Sequence, residues 1–187
     1  MSENTTPEHT IDNTRWYALT VRYQHERQTE RALQSQGWQT LVPLYRSRRQ
    51  WSDRVKDVEL PLFAGYVFCR FAVSGRKQVL DTPGVARVVG FGGSDVALED
   101  FEIAGIERLL ALNLPLSPWP YLTAGDRVRV EHGAMRGLEG TLLRAKGSVR
   151  LVIGVKLLQR SISVELDRDA IVPDGAWKKV YQKGGVA

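Results

Sequence analysis

The run Leu62-Phe63-Ala64-Gly65-Tyr66-Val67-Phe68-Cys69-Arg70-Phe71 is the most strongly patterned stretch of the chain. Aromatic and β-branched residues follow a glycine and carry no charge until Arg70, which predicts a strand over residues 64–71. Side chains alternate across a strand, so either Tyr66 and Phe68 or Val67 and Cys69 face a core. Towards the N-terminus, 15–21 reads as a second strand. Residues 26–36 read as a helix with Ala32 and Leu33 inward, closed by Gly37. Between them and the central run, 40–45 and a polar excursion to about residue 59 alternate as a hairpin would. Towards the C-terminus, 74–81 reads as a short helix stopped by Pro83-Gly84. A short strand follows at 85–90, then the turn-prone Gly92-Gly93-Ser94-Asp95. A longer helix begins near Glu99-Asp100, with Ile103, Ile106, Leu109 and Leu110 on one face. This order of elements predicts an α+β sandwich with helices on an antiparallel sheet.

The next segment changes character. Pro115, Pro118 and Pro120 fall within 113–123, too much proline for a helix or a central strand, which predicts a semi-rigid spacer and a domain boundary. Beyond it, apolar runs at Val128/Val130, 138–143, 149–155 and 162–166 are punctuated by Gly133, Gly137, Gly140, Gly147 and Gly154. Strands this short with turns this frequent predict a small five-stranded β-barrel over 124–174. The expected organisation is a polar tail (1–14), an α+β domain (15–112), a linker (113–123), a barrel (124–174) and a basic tail (175–187).

With 43% apolar and 25% charged residues in 187, the chain has the balance of a globular protein, which excludes disorder throughout. No stretch is apolar for the roughly 18 residues of a membrane span, and a cytoplasmic protein is expected. Cys69 stands alone and His9, His25 and His132 are scattered, so neither a disulfide nor a metal site is expected. The usual phosphate-loop, dinucleotide, zinc-protease and nucleophile-elbow signatures are missing, and no catalytic residue or cofactor is assigned. His25-Glu26, the one adjacent acid/base pair, reads as a solvated helix start.

Charge is concentrated. The whole chain carries +5, while residues 15–56 alone carry +6. The densest part is Arg46, Arg48, Arg49, Arg54 and Lys56, with Trp51 among them and only Asp53 opposing. Phosphate neutralisation by such a patch would supply salt-dependent affinity, and an indole can stack on an unpaired base. On charge alone, a solvated basic hairpin explains the cluster equally well.

Several motifs stand in a specific order: Arg15-Trp16-Tyr17, the Phe63-Ala64-Gly65-Tyr66-Val67-Phe68 strand, Thr82-Pro83-Gly84-Val85, the proline-rich link, and Ala124-Gly125-Asp126-Arg127-Val128-Arg129-Val130 with its later glycines and Val164-Glu165-Leu166. Over residues 15–174 this conjunction resembles the NusG family of transcription elongation factors. The resemblance implies an N-terminal NGN domain and a C-terminal KOW domain, an SH3-like barrel. It implies docking on the clamp helices of RNA polymerase through an apolar surface that maps onto Phe63, Tyr66 and Trp16. Taken alone, the residues read as plain core. The family commonly has Phe-Pro-Gly-Tyr where this chain has Phe63-Ala64-Gly65-Tyr66. The resemblance also lays the basic hairpin near upstream and non-template DNA, with Arg46, Arg48, Arg49, Trp51 and Arg54 as contacts. Leu157, Leu158 and Arg160 fall at the loop by which family members contact Rho or a ribosomal protein. An aromatic-Gly-Arg in relatives is Leu158-Gln159-Arg160 here, which points to a specialised antiterminator paralogue. The expected product is a monomeric, non-catalytic factor with no membrane partner. The alternatives are a housekeeping factor coupling polymerase to Rho or the ribosome, and an RNA-binding, ribosome-associated protein.

Overall fold

A computed structural model describes residues 13–50, 55–120, 126–130, 133–145, 148–166 and 171–172. The strand β1 (Arg15–Val21) leads into the helix α1 (Glu26–Ser35), whose end is turned by Gly37 at φ +87°. The short β2 (Gln39–Leu41) precedes a hairpin of β3 (Leu44–Gln50) and β4 (Val55–Pro61), and then comes β5 (Tyr66–Phe71). A 3-10 turn runs into α2 (Arg76–Leu80), followed by β6 (Val85–Val88) and the small hairpin of β7 (Gly90–Phe91) and β8 (Ser94–Asp95). α3 (Asp100–Ala111) carries Asp100 and Glu102 in its first turn and Arg108 in its last, charges that oppose the helix dipole.

Strands β2, β5, β1 and β6 form one antiparallel sheet in that order. The register Tyr17↔Cys69 and Leu19↔Val67 sets one face, and Ala18↔Phe68 and Thr20↔Tyr66 set the other. The sequence left open which face of β5 is buried. Both are, because β5 is central and each face has its own cover. Tyr17, Leu19, Val67, Cys69 and Phe71 pack with Leu33 of α1, Trp38 and Val79 of α2. Trp16, Ala18, Phe63 and Phe68 pack with Ile103, Ile106 and Leu109 of α3 and with residues of the terminal module, among them Ile153 and Ile162.

That terminal module is an antiparallel sheet of β10 (Asp126–Val130), β11 (Glu139–Ala145), β12 (Ser148–Val155), β13 (Arg160–Leu166) and β14 (Ile171–Val172), the five strands expected. It also has a sixth. Residues 116–120, expected as spacer, form β9 (Leu116–Pro120), which pairs with the outer edge of β13 from Val164↔Leu116 to Arg160↔Pro120. Pro118 and Pro120 share a phase and have no N–H, so donors towards β13 fall on Ser117 and Trp119. Proline at alternate positions suits an edge strand, whose outer side needs no ladder. No helix among the described residues is long and apolar enough to cross a membrane.

Candidate functional site

The loop before β5 is pinned from three sides. Gly65 adopts φ +84°, a left-handed conformation that a side chain would strain. Its N–H donates to Glu26 Oε1 at 2.7 Å, its carbonyl accepts from Val21 N at 2.9 Å, and Tyr66 N donates to Phe63 O at 3.1 Å. Glu26 is therefore buried at the start of α1 and holds the loop, where the sequence suggested a solvated helix start. A carboxylate accepting a backbone N–H in such a place recurs in this chain. Glu30 Oε1 accepts from Val42 N, and Glu102 Oε1 accepts from Lys156 N, each at 2.9 Å. Burial raises the pKa of Glu30 and of Glu102 above the ordinary 4.5, and the backbone hydrogen bond partly counters it.

Of the three residues expected at an apolar docking surface, Trp16 and Phe63 are buried and Tyr66 is half-buried. Phe63 meets Phe68 edge to face at 5.2 Å. Tyr66 is covered from the terminal sheet: the Arg160 guanidinium lies 5.1 Å over its ring and Nη1 donates to Ala64 O at 2.9 Å. Arg160 was expected to face a separate partner. The structure brings it onto the Phe63-Ala64-Gly65-Tyr66 loop instead, so the two expected contact regions touch each other. Leu158 is buried and Leu157 is packed beside it, in a 3-10 turn closed by Gln159 at φ +51°. The contact continues along α3, where Glu102 meets Lys156, Gly105 faces Ile153 and Arg108 donates to the carbonyl of Arg136.

The basic hairpin projects from this core. Its register places Arg46 opposite Glu59, Arg48 opposite Asp57 and Arg49 opposite Lys56. Arg48 reaches Asp57 at 3.5 Å with both side chains exposed, and Glu59 pairs with Arg27 at 3.0 Å. The acids of β4 thus offset part of the charge that the sequence concentrates in β3. Trp51 and Arg54 lie outside the described residues. Cys69 is buried in the sheet, its thiol pushed up to about 12 by desolvation, which suits a packing residue. Among the described residues no group of three His, Cys, Asp or Glu side chains is placed to hold a metal ion.

Glu26 was read in sequence only as a solvated helix start, and Glu102 was not singled out. Their acceptor roles join residues 39 and 54 positions apart, which no local pattern signals.

The family match and the first of the structural matches agree with this fold. Residues 14–107 match the family described as transcription termination factor nusG. A solved structure described as "Domain interaction in Thermotoga maritima NusG" is similar at 19% identity, with a TM-score of 0.53 over 87% of this chain and 98% of that one. A second, of an MjSpt4:Spt5 complex, matches at 15% identity and a TM-score of 0.26 over 84% of this chain and 96% of that one.

Proposed function

We propose, from the premise that this chain belongs to the NusG family, that it is a non-catalytic transcription factor of the cytoplasm acting by position. The sheet face bearing Phe63, Tyr66 and Trp16 grips the clamp helices of RNA polymerase, and the factor suppresses pausing or termination. The loop of Leu157, Leu158 and Arg160 recruits a second partner, a ribosomal protein or Rho. Arg46, Arg48 and Arg49, with Trp51 and Arg54, lie along upstream or non-template DNA.

One observation carries the reading. Arg160 is seated on Tyr66 and Ala64, so the polymerase-facing loop and the partner-facing loop occlude one another. Polymerase and partner each bind the form in which the terminal sheet has moved away, and each favours the other's binding by shifting that equilibrium. Tyr is a typical interface anchor, with an apolar ring that a helix tip can cover.

The test is binding of the full chain to bacterial core RNA polymerase, with a clamp-helix peptide as competitor. Tyr66→Ala should weaken binding by about 1–3 kcal/mol, as for an interface anchor. Arg160→Ala should strengthen it by roughly tenfold, because the closed form loses a hydrogen bond to a charged donor and a cation–π contact. Failure of the peptide to compete, or loss of affinity in both variants, would sink the proposal.

A further inference from the structure

Strand β9 has properties that its place in the chain makes consequential. Among the described residues it is the one strand between α3 and β10, and it belongs to the terminal sheet by pairing and to the shared core through Leu116. Trp119 lies on the opposite face of β9, with the Arg150 guanidinium 5.4 Å over its ring. Arg150 is itself held by Glu165 at 2.9 Å. With β9 docked, the free connection to α3 is the four residues 112–115, which extend to at most roughly 14 Å. With β9 released, the free path is 112–125, fourteen residues, or at most roughly 50 Å.

We infer that β9 is a strap: while it is paired with β13 the terminal sheet can lift off the α/β face by little more than a side-chain layer, and full separation requires β9 to peel away. This rests on the reading that the terminal sheet leaves the docking face, and adds a second, separable step to that motion. Three features make β9 a strand built to detach. Its two prolines stop a further strand from pairing on its outer edge, so while docked β9 is held by a single ladder, the one to β13. Ser161, directly opposite Trp119, has a buried hydroxyl with no hydrogen-bond partner among the described residues, an unmet need that water fills once β9 leaves. The strap itself is short, five residues along one edge.

The experiment locks the strap. Ser117 and Ser163 are direct cross-strand partners, and the Cα separations of antiparallel partners lie within the range a disulfide spans. Ser117→Cys/Ser163→Cys in the full chain gives a bond that can be closed or opened by redox. Buried Cys69, with its raised pKa, does not compete. Fluorophores on ketone-bearing amino acids at the exposed positions 34 and 134 report the separation of α1 from the terminal sheet by energy transfer. The background is Tyr66→Ala/Glu102→Ala, which loosens the interface without touching β9.

Reduced, the chain should show a population separated by tens of ångströms. Oxidised, the gain in distance should stay within the four-residue reach. A long-distance population that persists in the oxidised chain overturns the strap and leaves the docking reading intact. Absence of separation in the reduced chain overturns both, because nothing is released for the strap to restrain. A variant without the engineered cysteines keeps the result independent of the disulfide's effect on folding: Trp119→Ala in the same background should enlarge the separated population several-fold, and an unchanged population counts against the strap.

Discussion

The two faces of the four-stranded sheet each carry a buried apolar cluster but are differently connected. On the face of Tyr17, Leu19, Val67 and Phe71, the covering helices α1 and α2 are interleaved with the strands in sequence, one between β1 and β2 and the other between β5 and β6. Removing that cover would mean pulling strands out of the ladder. On the face of Trp16, Ala18, Phe63 and Phe68, the cover is α3 and the terminal sheet, which follow β6 in the chain and are attached at one end. The terminal sheet can leave, parting from α3 as well, with every ladder of the α/β sheet intact. Connectivity, more than composition, makes one core permanent and the other separable. The separable one is fastened by Glu102, Arg108 and Arg160, groups that water can satisfy after opening.

The largest expected effect tests the permanent face. Phe71 is fully buried, stacked on Tyr17 at 4.4 Å and edge-on to Trp38 at 6.3 Å. Phe71→Ala should cost about 3–5 kcal/mol in denaturant unfolding and melt the whole α/β layer, because no element on that face can move to fill the space. A loss below about 1 kcal/mol would show that this face also relaxes, and the contrast would fail.

Next comes a fastener of the separable face. Glu102→Ala leaves the Lys156 N–H unpaired and should weaken closure by about 1–3 kcal/mol. Hydrogen exchange should speed up in α3 and β12 while β1 and β5 stay protected. Uniform acceleration in all four elements would mean that the two covers come off together.

Glu102 also gives closure a pH dependence. Burial raises its pKa above 4.5, against the backbone bonds that lower it, while the charge of Glu99 raises it further and that of Lys156 lowers it. Between the ordinary and the raised pKa, the closed form therefore holds a proton that the open form has lost. Closure is at full strength below the ordinary glutamate value and weakens as pH rises from there through the raised pKa. Energy transfer between positions 34 and 134 should fall over that interval. Glu102→Gln, which cannot ionise, should flatten the curve. Glu30 is raised by the same cause but sits between α1 and the segment after β2, so its titration loads the permanent face and survives the Gln substitution.

Much of this was readable beforehand because it is local. Aromatic and β-branched enrichment located β1 and β5, the spacing of Ile103, Ile106 and Leu109 located the inward face of α3, and glycines at Gly37, Gly133 and Gly137 marked turns that adopt positive φ. Partners distant in sequence were not readable. Nothing near Glu26 announces Gly65, and nothing near Arg160 announces Tyr66. Residues 113–123 misled for a physical reason: proline excludes helix and central strand, but at alternate positions it is compatible with an edge, and β9 is one. The candidate site was half legible. Its aromatic residues were found, while the groups holding them shut were read as solvated or as facing elsewhere.

The smallest effect concerns a region outside both cores. Arg48 is exposed and reaches Asp57 at a distance and exposure where an ion pair contributes little. Arg48→Ala should change unfolding stability by less than about 0.5 kcal/mol and leave the separation of the terminal sheet unaltered. If the hairpin lies against a phosphate backbone, the same substitution should reduce the slope of log affinity against log salt by about 0.7–0.9 in binding of the full chain to polymerase on nucleic acid. Asp57→Ala should have the opposite sign, since it frees Arg48 from its partner. An Arg48 variant with an unaltered slope would leave the hairpin as a solvated projection, and the molecule's function would then rest on the separable face alone.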